Sequence, residues 1–173
     1  TSMHRNPYRE WIGAQIRADG WGYACAGNPE LAAEFAYRDA CWTHRANGIY
    51  GEMMFAALIA AAFVISDPPE LIQIGLSEIP RNCKLAEACK AALIQFPGCK
   101  DFETYMDWVE ECFGHLHSIH TVNNALVVIG SIIYGEGDFH RSICWSVEGG
   151  WDTDCNGATC GSIAGATSGT SGI

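Results

Sequence analysis

The longest uncharged apolar stretch runs from Met53 to Ile65. It is too short to cross a bilayer, which takes about 20 residues. A buried helix from Gly48 to Ile65, apolar nearly all round and central to the fold, is the expectation. Elsewhere apolar positions recur at helical steps: Phe102, Tyr105, Met106 and Val109 predict a helix over Phe102 to Phe113. Thr121 to Tyr134 reads as a second buried helix. Start signals mark the others. Asn28-Pro29-Glu30 combines an N-cap, a proline at the first helical position and an acid in the first turn. Leu31, Phe35 and Trp42 would form that helix's apolar face. Asp67-Pro68-Pro69-Glu70 starts a helix that Ile79-Pro80 ends. Asn82 is expected to cap Cys83 to Phe96, Asp101 the helix from Phe102, and Asp138 the helix Phe139 to Val147. Asp19-Gly20-Trp21-Gly22-Tyr23 reads as a glycine-punctuated loop. No alternating strand pattern interrupts these windows. The sequence predicts an all-α chain forming one domain over residues 3–173.

Composition adds limits. A hydrophobic fraction of 49% and a charged fraction of 17% are globular values. The net charge of −10 argues against binding a nucleic-acid backbone. It also means that an anionic ligand needs a local device: a metal ion, helix N-termini or backbone amides. The nine cysteines are odd in number and lack a framework spacing, which predicts free thiols and a cytoplasmic setting. No membrane association is expected.

Candidate chemistry concentrates in Gly149-Gly150-Trp151-Asp152-Thr153-Asp154-Cys155-Asn156-Gly157. In extended backbone, residues two apart face the same way, so Asp152 and Asp154 could aim both carboxylates at one point. Paired carboxylate oxygens suit Mg²⁺. A helix starting near Asp154 would turn its positive end toward them. The competing reading makes Asp154 a plain helix N-cap and Asp152 a solvated loop residue. A second candidate is Thr43-His44, at a helix junction among small residues, where His44 could touch a ligand or bridge helix ends. His115, His117 and His120 have metal-ligand residue types but no converging fourth ligand, and read as a solvated helix end.

The run Gly150 to Thr159, continuing through Gly161-Ser162-Ile163-Ala164-Gly165-Ala166, resembles the C-terminal metal motif of the ADP-ribosylglycohydrolase family. Gly27 to Glu34, Arg38-Asp39-Ala40, Thr43-His44 and Gly48 to Ala60 resemble other segments of the same family. The resemblance implies an orthogonal multi-helix bundle and a hydrolase that cleaves the glycosidic bond at ribose C1″ of ADP-ribosylated substrates. It implies two Mg²⁺ ions, or Mn²⁺ in some members, with Asp152 and Asp154 as catalytic metal ligands. Cys155 stands at the third ligand position, where many members have Thr. His44 would lie beside ADP-ribose, with Gly13, Arg17 and Gly150 as further substrate contacts. Family enzymes are longer and carry a Thr-Asp-Asp run that nothing before Asp19 matches. The chain therefore resembles the C-terminal part, and is expected to have low activity alone. It would self-associate, or pair with an N-terminal half, through apolar faces such as Met53 to Ile65. The alternative is a non-catalytic member that binds ADP-ribose or serves as a crystallin-like structural protein.

Overall fold

The structure is a computed structural model that describes residues 2–170. Its elements follow in the order α1 (Asp19–Ala24), α2 (Pro29–Ala40), α3 (Asn47–Ala62), α4 (Pro68–Ser77), α5 (Lys84–Gln95), α6 (Phe102–Phe113), α7 (Thr121–Tyr134), α8 (Phe139–Glu148) and α9 (Thr153–Ser168). Single 3-10 turns occur at Gln15–Arg17 and Phe96–Gly98. Among the described residues there is no strand, only an isolated bridge between Trp11 and His120. The fold is all-α, as the pattern predicts.

α3 is the central helix. It packs against α1, α2, α4, α7 and α9, and every residue from Met54 to Ala62 is buried. The idea that Met53 to Ile65 leaves an apolar face for a partner is therefore corrected. This chain's own helices cover that segment, and only Phe63 and Val64, beyond the helix end, stand exposed. The second buried helix, α7, lies against α5, α6, α8 and α9. Its position is fixed in part by Tyr105, whose hydroxyl donates to the Leu126 carbonyl at 2.9 Å.

Three local expectations change. The buried face of α2 is Ala32, Ala33, Ala36 and Ala40, whereas Leu31 and Trp42 point outward. Small side chains fill most of the contact between α2 and the rest, and of the expected face only Phe35 packs inward, against Trp21. Asp19 to Tyr23 is part of helix α1, not a loop. Gly22 is needed there for close approach: a Cβ would lie 2.6 Å from Ile59 Cγ2 of α3. α5 is capped by Cys83 rather than Asn82, with Sγ accepting the Ala86 N–H at 3.4 Å.

Candidate metal centre

α9 opens on Asp152 at its N-cap position, with φ −94° and ψ 74°. Three other helices also open on Asp. Asp67, Asp101 and Asp138 each accept a backbone N–H three residues on, at 3.0, 2.9 and 2.7 Å. Asp152 makes no such bond. The reading of Asp154 as a plain N-cap is thus corrected: Asp152 holds that position, and its carboxylate caps no backbone N–H of the helix. Gly150 and Trp151, both left-handed at φ 78° and 55°, turn the chain into α9. Convergence comes from this turn and the first helical turn, not from strand alternation. Asp152, Asp154 and Cys155 each place one ligand atom within 4.8 Å of the others.

Charge in the group is uneven. Burial, then the hydrogen-bonded Asp154 carboxyl, raises Asp152 above the usual carboxylate range. The same hydrogen bond from Asp152 lowers Asp154. Burial and the Asp152 charge push the Cys155 thiol up to about 12. Two carboxylates, one free of capping duty, fit a hard divalent cation. A neutral thiol is the poor donor of the three.

Asn124 of α7 holds this segment in place. It is fully buried. Its Oδ1 accepts the Asp152 N–H at 3.0 Å and the Asn156 Nδ2–H at 2.9 Å. Its Nδ2 donates to the Ser118 and His120 carbonyls at 2.8 and 2.9 Å. Nearby on α7 and α9, Thr121 Oγ1, Asn123 Oδ1, Asn156 Oδ1 and Thr159 Oγ1 are buried without hydrogen-bond partners. The roles of Asn124 and Asn156 were missed from sequence; for Asn156 the available signal was an amide between the acids and a small-residue helix.

The other candidates form a second cluster at the α2–α3 junction. His44 is only 8% exposed. Its Nδ1 lies 2.8 Å from Thr43 Oγ1. Burial and the nearby Arg17 charge lower its pKa, so the ring is neutral at neutral pH. Arg17 is engaged by the protein itself. It pairs with Asp39, and it donates to the Gly13 carbonyl at 3.1 Å and to Thr43 Oγ1 at 2.8 Å. Its Nε also lies 3.7 Å from Glu52. Glu52 is fully buried, and burial with the adjacent Asp39 raises its pKa to about 9. It is therefore protonated at neutral pH and forms no ion pair with Arg17. Glu52 was missed from sequence; a lone acid inside an apolar helix was the available signal. His44 and Thr43 line an open cleft of ≈ 400 Å³ with residues 4–8, and this cleft shares no lining residue with the acid pair.

The nine cysteines are free. His117 stacks on Trp11 at 4.5 Å, and His120 Nδ1 accepts the Val122 N–H at 3.1 Å as the cap of α7. Among the described residues no histidine belongs to a metal-binding group.

Compared with known sequence families, the chain matches the ADP-ribosylglycohydrolase model over residues 4–173. The chain belongs to the ADP-ribosylglycohydrolase family. No curated protein and no solved structure matches it. Membership brings with it, at the level of the family, hydrolysis of ADP-ribosylated substrates. No helix among the described residues is long and apolar enough to cross a membrane.

Proposed function

We propose that this ADP-ribosylglycohydrolase is dependent on Mg²⁺ or Mn²⁺ and cleaves the glycosidic bond between ADP-ribose and an acceptor, with Asp152 and Asp154 as its metal ligands and catalytic residues. The observation that carries the reading is the Asp152 carboxylate: it sits at a helix N-cap, makes no capping bond, and converges with Asp154. A bound divalent cation supplies Lewis-acid polarisation and a more acidic water. Asp154 is exposed and held ionised, and with Asp152 it would hold the cation. Asp152 keeps its proton to higher pH than an ordinary carboxyl. In its ionised form it would help hold the cation and could accept a proton from water. Gly150 leaves open space beside the acid pair, with nothing within 4 Å of where its Cβ would stand. Gly13, Arg17 and His44 shape the sugar-phosphate side: Arg17 orders Gly13 and Thr43, and neutral His44 offers a ring nitrogen.

Two carboxylates on one segment leave most of a cation's coordination to water, so turnover by this chain alone is expected to be low. The test is Mg²⁺- or Mn²⁺-dependent release of ADP-ribose from a modified substrate by the purified chain and by Asp152→Asn. Slow, metal-dependent release lost in the variant supports the reading. ADP-ribose binding with no release under any metal would move the protein to the non-catalytic alternative.

A further inference from the structure

The segment before the first 3-10 turn is stapled onto the loop between α2 and α3. Asn6 Nδ2 donates to the Thr43 carbonyl at 2.8 Å, and Asn6 Oδ1 accepts the Tyr8 N–H at 3.0 Å. The Arg45 N–H donates to the Arg9 carbonyl at 2.8 Å. These bonds gather Arg5, Arg9 and Arg45 around one groove of ≈ 370 Å³. All three are exposed, and among the described residues none forms an ion pair. The side-chain bond among them is Arg9 Nη1 to the Asn6 carbonyl, at 3.3 Å.

This is a local reversal of the chain's charge. Lys and Arg number 10 against 20 Asp and Glu. Arg17, Arg38, Lys100 and Arg141 each have a carboxylate partner. Three guanidinium groups around one concavity, none ion-paired among the described residues, repel one another, and an anion between them relieves that cost. Guanidinium forks match oxyanions in two-point contacts, which ammonium groups do not. A groove of a few hundred Å³ suits a small ligand.

We propose that Arg5, Arg9 and Arg45 form an anion site for a small phosphate-bearing molecule. The site needs no metal ion, because the arginines supply the counter-charge. It adjoins the His44 cleft, which shares Arg5 and Asn6, and it has no residue in common with Asp152 and Asp154. It therefore does not rest on the glycohydrolase reading.

The experiment is calorimetric titration of the full chain with inorganic pyrophosphate at low salt in EDTA. Arg5→Ala/Arg45→Ala removes two charges but no intramolecular side-chain hydrogen bond, so it should stay folded. Arg9→Lys keeps the charge and loses the fork. Wild type should bind, the double variant should lose about tenfold or more in affinity, and Arg9→Lys should weaken binding less. Asp152→Asn/Asp154→Asn should bind as wild type does. Equal binding by the double Arg variant would overturn the site, as would loss of binding in the double Asp variant. Tighter binding of an oligo-glutamate peptide than of pyrophosphate would overturn the small-ligand assignment.

Discussion

The backbone N–H of Asp152 donates to Asn124 Oδ1 at 3.0 Å, across 28 residues of sequence. This bond ties the start of α9 to the start of α7. The same amide also holds Asn156 and the carbonyls of Ser118 and His120, so its hydrogen-bonding capacity is used on both sides of the turn. Asn124→Ala leaves buried groups without partners, which costs about 1–3 kcal/mol each where water cannot replace them. Asn124→Asp keeps the acceptor and loses both donations to carbonyls. Both variants should melt at lower temperature than wild type. The variants should also weaken Mn²⁺ binding, read by titration well below each variant's own melting point. Full Mn²⁺ affinity in a destabilised but folded variant would reduce Asn124 to a purely structural residue.

The acid pair makes metal binding pH-dependent. Asp152 is raised in the folded chain, so it holds its proton to higher pH than an isolated aspartate. A cation must displace that proton, so affinity should rise with pH. Mn²⁺ titrations between about pH 5 and about pH 7.5 should show steadily tighter binding. Asp152→Asn/Asp154→Asn should abolish the Mg²⁺- or Mn²⁺-dependent thermal shift at every pH. A shift that survives in the double variant would place the metal elsewhere.

Much of the helical order was legible because its signals are local. Asn28, Asp67, Asp101 and Asp138 cap the helices that the pattern assigns to them. Packing that depends on volume was not legible. Periodicity registers that Leu31 and Trp42 are apolar, but the α2 contact is made mostly by alanines with Phe35, and Leu31 and Trp42 stay outside. Gly22 looks like a turn residue in sequence and proves to be a close contact with Ile59, set by a helix distant in the chain. The acids of the site were legible as a motif. That Asp152 would sit at an N-cap without capping was not, because this depends on the left-handed turn at Gly150-Trp151. His44 looked accessible among small neighbours, yet it is buried between Gly13 and the junction it closes.

Glu52 should give the fold a pH dependence of its own. Its pKa rises from an ordinary 4.5 to about 9. The folded state thus binds a proton more tightly than the unfolded state. The stability this contributes is fully present below the unfolded value and is lost as pH rises through the folded one. Wild type should lose this contribution progressively as pH rises from the unfolded 4.5 to about 9. Glu52→Gln, which cannot ionise, should be flatter over that window in circular-dichroism melts. Parallel curves for the two proteins would assign the dependence to other groups.

Cys155 sets the character of the third ligand position. Its thiol is pushed up to about 12, so at neutral pH it offers a neutral sulfur to any ion held by Asp152 and Asp154. Sulfur is a soft donor, and Mg²⁺ takes oxygen. The hydroxyl of a threonine is neutral as well, but it is hard. Cys155→Thr should therefore tighten Mg²⁺ binding more than Mn²⁺ binding, since Mn²⁺ tolerates softer ligands better. The side chain is half-buried, and the two residues are similar in size, so melting temperature without metal should change little. The measurement is a pair of titrations, Mg²⁺ and Mn²⁺, on wild type and Cys155→Thr at one pH. An unchanged Mg²⁺-to-Mn²⁺ affinity ratio would remove Cys155 from the coordination shell and leave the two aspartates as the ligands this segment supplies.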